Sequence, residues 1–105
     1  MPLTLSADQL DAIRAACRRH HVARLHVFGS VLRPDYRPGE SDIDLLVEFE
    51  PIEPTALVDA YFDLEQRLTE IIGPRLDLVM TAAIRNRILR STINASKQLL
   101  YGTGS

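Results

Sequence analysis

The segment SDIDLLV, residues 41–47, places two carboxylates at the start of an apolar, β-prone run. In an extended strand successive side chains point to opposite faces, so Asp42 and Asp44 share one face and lie roughly 7 Å apart along the backbone. Two anions on one face repel each other unless water or a cation lies between them. The segment therefore predicts either a strand that begins in water at a sheet edge or a metal site.

The composition is that of one soluble globular domain. The chain has 105 residues, 46% of them apolar and 25% charged, and its net charge is −2. This balance gives no electrostatic case for nucleic acid or membrane as the main partner. Cys17 is the single cysteine, which excludes an intrachain disulfide and fits a reducing cytosol. We predict a cytoplasmic protein without a membrane span, with one domain over residues 1–101 and a disordered tail over residues 102–105.

Three helices are predicted from capping residues and apolar periodicity. Ser6 and Gln9 form a capping box that predicts a helix over residues 7–20. Thr55 is the predicted N-cap of the clearest helix, which Gly73 ends.

Thr81 is predicted to cap a last helix. Its apolar stripe continues through Ile84, Ile88, Ile93 and Leu99/Leu100.

Three strands are predicted, at residues 24–28, 43–49 and 75–80. The interleaving of helices with a small sheet predicts an α/β (α+β two-layer) domain. The step from the first strand to the second resembles a hairpin, so the sheet should be at least partly antiparallel.

A candidate phosphate site lies where the first strand ends, at Gly29-Ser30. A helical turn that starts there would offer free N–H groups, glycine would let a phosphate approach the backbone, and the serine hydroxyl could add a hydrogen bond. Arg33 follows at a spacing that could return its guanidinium to the same anion. The alternative interpretation of Gly29-Ser30 is a simple turn.

A candidate metal site lies on the neighbouring strand. Mg²⁺ takes oxygen ligands and commonly bridges carboxylates to substrate phosphates, so it could join Asp42 and Asp44 to the phosphate turn. Asp77 lies between apolar neighbours, where an unpaired charge would be costly to bury. If its strand lies beside the second one, Asp77 becomes the third carboxylate of a two-cation site and could accept the proton of an attacking hydroxyl. It could instead pair with one of the many arginines.

Three histidines are the other candidate ligands. His20, His21 and His26 have no partner at ligand spacing around the two aspartates. We interpret them as helix-end or sheet residues.

These motifs, in this order, resemble the signature of the DNA polymerase β-like nucleotidyltransferase superfamily, and the short length resembles its minimal nucleotidyltransferase (MNT) branch. The resemblance covers residues 23–101 and implies a small mixed sheet backed by helices. It implies ATP and Mg²⁺ as ligands, with Asp42, Asp44 and Asp77 as metal ligands and Gly29 and Ser30 as the phosphate-binding turn. One departure is that eleven residues separate Ser30 from Asp42, where the family usually has ten. An extra loop residue costs little free energy, so we expect the site to be retained.

The resemblance also implies a biological role. Minimal members typically act as the antitoxin of a toxin–antitoxin pair, transferring AMP from ATP to a tyrosine of a HEPN-domain toxin in a hetero-oligomer. The residues themselves support only the phosphate chemistry and a macromolecular acceptor docked over an open site. The competing hypotheses are a non-catalytic binding module that neutralises its partner by occlusion and a nucleotide sensor.

Overall fold

The computed structural model describes residues 5–28 and 43–102. Within those two stretches the chain forms three α-helices, four β-strands and one 3-10 turn. The elements in chain order are α1 (Ala7–Arg19), β1 (Val22–Phe28), β2 (Ile43–Phe49), α2 (Pro54–Ile72), β3 (Leu76–Met80), the 3-10 turn (Thr81–Ala83), α3 (Arg87–Ser96) and β4 (Gln98–Tyr101). The predicted α+β class is confirmed.

The four strands form one sheet in the order β3-β2-β1-β4. β1 runs antiparallel to both β2 and β4, whereas β2 and β3 are parallel. The prediction of a partly antiparallel sheet is therefore confirmed. α2 provides the long crossover that two parallel neighbours require. The predicted bounds of β2 are confirmed, β1 begins two residues earlier than predicted, and β3 begins one residue later.

β1 carries an irregularity near its start that the sequence did not reveal. Val22 pairs with Phe49 and Arg24 pairs with Glu48, so Ala23 is an extra residue in the ladder. A bulge of this kind reverses the alternation of faces. It lets Val22 and Leu25 both point into the core, where their exposed fractions are 3% and 0%.

The helices α1 and α2 cover one side of the sheet, which we call the core face. Buried side chains from both helices meet inward-facing side chains of all four strands there. The largest fully buried ones are Ile13, Leu25, Leu45, Leu64, Leu68, Val27, Val47 and Cys17. Burial of each large aliphatic side chain contributes roughly 1.5–3 kcal/mol to folding, so this face supplies most of the hydrophobic stabilisation.

The other side of the sheet, which we call the open face, carries a smaller apolar cluster. Leu46 on β2 packs there with Ile84 and Ile93, and Phe28 and Val79 pack against them. The segment that follows β3 and the helix α3 therefore cover part of this face.

The predicted capping box of α1 is confirmed. The Ser6 hydroxyl accepts a hydrogen bond from the Gln9 backbone N–H (3.1 Å), and the Gln9 side-chain oxygen accepts one from the Ser6 N–H (2.9 Å). The Gln9 amide also donates to the Ile71 carbonyl at 3.2 Å. The start of α1 is thus tied to the end of α2.

The predicted N-cap of α2 is wrong. The helix begins at Pro54 with Glu53 at the cap position, so Thr55 lies inside the first turn. Proline favours the first helical position because its fixed φ suits the helix and its missing N–H would have no partner there. The predicted end is confirmed, since Gly73 (φ 135°) caps the helix and donates its N–H to the Thr69 carbonyl.

The predicted last helix is wrong at both ends. Thr81 begins a 3-10 turn, and α3 starts only after Asn86, whose side chain accepts hydrogen bonds from the N–H groups of Ile88 and Leu89. Asparagine is a strong N-cap because its side-chain oxygen can bond these otherwise unpaired donors.

The strand β4 was not predicted. Leu99 and Leu100, assigned from the sequence to the helical stripe, lie on this strand, which pairs with β1. Leu100 is 5% exposed and joins the core face. A segment of only four residues shows no clear alternation, and here it is stabilised by the otherwise unpaired edge of β1.

The end of β4 approaches β1 closely. Gly102 has φ 102°, and a side chain there would collide with the Ala23 carbonyl oxygen. Residues 103–105, the rest of the predicted tail, lie outside the described residues. No helix within residues 5–28 and 43–102 is both long enough and apolar enough to cross a bilayer.

We expect Ser6→Ala to lower the free energy of unfolding by about 1 kcal/mol, because it removes one half of the capping box. Thr55→Ala is the matched control and should have little effect, since α2 has no side-chain cap hydrogen bond. Thermal melts would show the first variant about 4–8 °C less stable. An equal loss in both variants would contradict this assignment of the caps.

Candidate functional site

Two of the three predicted carboxylates lie side by side. Asp44 on β2 and Asp77 on β3 are partners in the parallel register. Neighbouring strands are about 4.8 Å apart, so the two side chains are immediate neighbours across the sheet.

Both carboxylates project from the open face. Asp44 lies between Ile43 and Leu45, which belong to the core face, and Asp77 lies between the core-face residues Leu76 and Leu78. Because side chains alternate along a strand, the two aspartates point to the opposite side. They stand next to the apolar cluster of that face.

The exposure of the two carboxylates differs. Asp44 is half-buried on a central strand, whereas Asp77 is exposed because β3 is an edge strand of the sheet. Water reaches Asp77, so this position avoids the cost of burying an unpaired charge. An exposed carboxylate at the rim is accessible to an approaching molecule.

The donor set fits a hard divalent cation. Like charges directly opposite each other on a sheet destabilise it, and a cation between them would convert that repulsion into attraction. Carboxylate oxygens are the ligands that Mg²⁺ prefers. Over residues 5–28 and 43–102 no cluster of three or more His, Cys, Asp or Glu side chains suits a metal, so this part of the chain contributes two carboxylates to the predicted site.

The remaining predicted site residues, Gly29, Ser30, Arg33 and Asp42, lie outside the described residues. Phe28, the last residue of β1, is the register partner of Asp44. The described residues on either side of that stretch, Phe28 and Ile43, therefore lie next to Asp44.

The edge of the sheet near Asp77 is held by a residue that sequence reasoning did not single out. The Tyr61 hydroxyl donates a hydrogen bond to the Leu78 carbonyl at 2.5 Å. Burial raises the pKa of this phenol, as do the negative charges of Glu65 and Asp77. The sequence showed Tyr61 only as a member of the apolar stripe of α2.

A second set of contacts fixes the chain just beyond β3. The Thr81 hydroxyl donates to the Val47 carbonyl at 3.2 Å. The Arg90 guanidinium donates to the Ile84 carbonyl at 2.5 Å and to the Thr81 carbonyl at 3.4 Å. These bonds hold the segment between β3 and α3 against the sheet.

Burial shifts the pKa of the Cys17 thiol and of two histidines. Cys17 is fully buried, and burial raises its pKa to about 12, which keeps it a neutral thiol. Burial also lowers the pKa values of His20 and His26. As predicted, His20 lies at the end of α1 and His26 lies on β1.

A groove of about 380 Å³ lies away from the carboxylates, between α1 and α2. Ala16, Arg19, Gln66 and Glu70 are among its lining residues. Since these helices cover the core face, this groove and the carboxylate pair are on opposite sides of the sheet.

Comparison with known proteins identifies relatives of the whole domain. Residues 10–100 match the nucleotidyltransferase domain family. The protein adenylyltransferase MntA of Thermococcus cleftensis is 32% identical over 94 residues, which are 85% of this chain and 91% of the relative.

Solved structures agree with this match. A structure described as a minimal nucleotidyltransferase superposes with a TM-score of 0.71 at 31% identity, covering 87% of this chain and 88% of the other. In a complex from Shewanella oneidensis, an MNT antitoxin binds a tri-AMPylated HEPN toxin; the match there has a TM-score of 0.59 at 21% identity, over 90% of this chain and 71% of the other, and supports the fold alone.

The resemblance to minimal nucleotidyltransferases and the fold expected from it are thereby confirmed. The match of residues 10–100 covers nearly the whole chain, and it includes Asp44 and Asp77. The chain belongs to the nucleotidyltransferase domain family.

Proposed function

We propose that this nucleotidyltransferase is a Mg²⁺-dependent protein adenylyltransferase. It transfers AMP from ATP to a hydroxyl, that of a tyrosine, on a HEPN-domain toxin and so acts as the antitoxin of the pair. The observation that carries the proposal is the register match of Asp44 with Asp77 on an exposed sheet face. Such a toxin–antitoxin pair would act as a cytoplasmic hetero-oligomer.

The named relatives support the choice of acceptor. The Thermococcus cleftensis relative is a protein adenylyltransferase, and the toxin in the Shewanella oneidensis complex carries AMP groups. The same acceptor chemistry suits this chain, because Asp77 is exposed on an edge strand, where a protein side chain can reach it.

Asp42, Asp44 and Asp77 would hold the metal ion, and Gly29 and Ser30 would hold the nucleotide phosphates, with Arg33 beside them. When bound, Mg²⁺ would neutralise phosphate charge and orient the triphosphate. Asp44, half-buried on a central strand, is suited to a fixed ligand role.

Asp77 is suited to contact the acceptor. The attacking hydroxyl oxygen forms a bond to the α-phosphorus of ATP, the bond from that phosphorus to the bridging oxygen breaks, and pyrophosphate leaves. The hydroxyl proton passes to the Asp77 carboxylate. Its exposure at the edge strand lets a protein side chain reach it, and the Tyr61 hydrogen bond to Leu78 keeps that strand edge in place.

A binding module that neutralises the toxin by occlusion is the alternative. It would need the docking surface but neither carboxylate. The placement of Asp44 opposite Asp77 on one face of the sheet favours the enzyme, because it offers a metal ion two carboxylate donors that a docking domain does not need.

We expect Asp44→Asn to weaken Mg·ATP binding by on the order of 10–100-fold, since even outer-shell ligand changes reach that size. The fold should be retained, because asparagine keeps the size of the side chain at this half-buried position. Isothermal titration and thermal melts test both statements. Equal Mg·ATP affinity in wild type and variant would rule out the metal site.

The phosphate turn is tested at Ser30. Ser30→Ala should weaken ATP binding by about 1–2 kcal/mol, the range for a hydrogen bond to a charged group. Gly29→Val should weaken it more, because a larger side chain would block the approach of the phosphate. Unchanged ATP affinity in both variants would leave Gly29-Ser30 as a turn only.

The enzyme and the occluding module are separated by Asp77→Asn. This variant keeps the size of the side chain, so it should bind the HEPN-domain partner as wild type does yet add no AMP to it. Intact-mass spectrometry of the partner after incubation with Mg·ATP would show one or more AMP units with wild type only. If wild type leaves the mass unchanged and Asp77→Asn neutralises the toxin equally well, the binding module is correct.

A further inference from the structure

The helix α3 exposes apolar side chains that no described part of the chain covers. Ile88 is 80% exposed and Leu89 is 51% exposed. Scattered exposed apolar residues are normal on a protein surface, but these two are consecutive, and Ile88 borders a shallow groove along the helix, which Arg87 also lines.

The same part of the chain is strongly basic. Residues 78–105 contain four basic residues and no Asp or Glu. Since the whole chain carries −2, residues 1–77 carry −6. Arg85, Arg87 and Arg90 line one concavity beside Ile84, so the cations gather next to the exposed apolar pair.

This surface stands on the catalytic side of the sheet. Ile84 and Ile93 anchor the α3 segment to Leu46 on the open face, and Asp44 projects from the same face two residues earlier on β2. A protein that lies on the outer side of α3 would therefore reach the rim where Asp77 is exposed.

We propose that Arg85, Arg87, Ile88 and Leu89, here called the α3 surface, dock an acidic patch with an apolar centre on the protein that the chain adenylylates. The inference rests on the proposed function for the identity of that protein. Complementary charge would steer the encounter, and the apolar pair would supply the buried centre that dominates interface energetics.

The charges of the α3 surface argue against a second copy of this chain, and against a nucleic acid, as the molecule that binds there. A two-fold contact between copies of this chain would bring arginines against arginines. A nucleic acid would pair its phosphates with the cations but leave Ile88 uncovered, and the net charge of −2 would oppose it.

The helix α2 provides a matched control surface. Val58 and Phe62 are 53% and 59% exposed, similar to Leu89, but α2 packs on the core face. Their neighbours Asp59 and Asp63 are acidic and exposed. An acidic partner should avoid this surface.

The experiment compares Ile88→Asp, Arg87→Glu and Phe62→Asp. The binding partner is a purified HEPN-domain toxin, the acceptor that the proposed function implies, and Kd is measured by isothermal titration without ATP, so that docking is separated from transfer. We expect Kd to rise at least tenfold for each α3 variant and to stay within about twofold for Phe62→Asp. The Kd of wild type should rise with salt, and Arg87→Glu should reduce that dependence.

Stability is monitored in the same variants. Ile88 and Arg87 are exposed and Ile93 provides the anchor, so melting temperatures and helical circular dichroism should match wild type. Because Arg87→Glu removes no apolar contact, it tests docking even if Ile88→Asp loosens the helix.

Several results would overturn the α3 surface as the docking site. These are unchanged Kd in both α3 variants, an equal loss in Phe62→Asp, or absence of binding by wild type. Binding of a fluorescein-labelled oligo-uridine RNA that Arg87→Glu abolishes would assign the surface to nucleic acid. A wild-type dimer in sedimentation that Ile88→Asp dissociates would assign it to self-association. Normal docking without a mass increase of the partner would instead disprove the proposed transfer and leave the docking site standing.

Discussion

The parallel pairing of β2 with β3 is the constraint on which the site depends. Leu45 and Leu78 are partners in this register and are buried on the core face. A slip by one residue would turn every side chain of a strand to the other face and drive a carboxylate into the apolar core. The opposition of Asp44 and Asp77 on the open face is therefore enforced by packing on the far side of the sheet.

The two faces of the sheet have different roles: the core face supplies most of the stability, and the open face carries the carboxylates. The core face holds the fully buried side chains of α1 and α2, whereas the open face carries only a small apolar cluster beside the carboxylates. An edge strand usually needs protection against unwanted pairing. Here Tyr61 reaches from α2 to the carbonyl of Leu78, so that β3 keeps its position while Asp77 on the same strand remains accessible. This arrangement allows a charged residue to be exposed without loosening the strand that carries it.

The sequence predicted the features that depend on residues close together in the chain, and it missed those that depend on distant partners. β2 was predicted correctly because it is a short apolar, β-prone run, and the box of Ser6 and Gln9 is a contact three residues apart. Thr55 was misassigned because proline at the first helical position outweighs a side-chain cap. β4 and the bulge at Ala23 escaped prediction because both depend on partners distant in sequence: β4 is stabilised by the edge of β1, and the bulge by the need to bury two side chains three residues apart. For the site, order along the chain suggested Asp44 and Asp77, but their adjacency depends on the strand order.

Because the site is open to water, the acceptor that reacts there must itself exclude water. Asp77 is exposed to water, and Asp44 is only half-buried, so the described face does not by itself exclude solvent from a reacting phosphate. Water is a competing nucleophile, and charges act more strongly once it is displaced. An acceptor protein that covers the rim would remove water and deliver its hydroxyl in the same step. Selectivity would then come from the shape and charge of the docking surface, since a sheet face with two carboxylates cannot distinguish one hydroxyl from another. The chain has a net negative charge up to residue 77 and a net positive charge beyond it. This uneven charge would provide that selectivity close to the carboxylates.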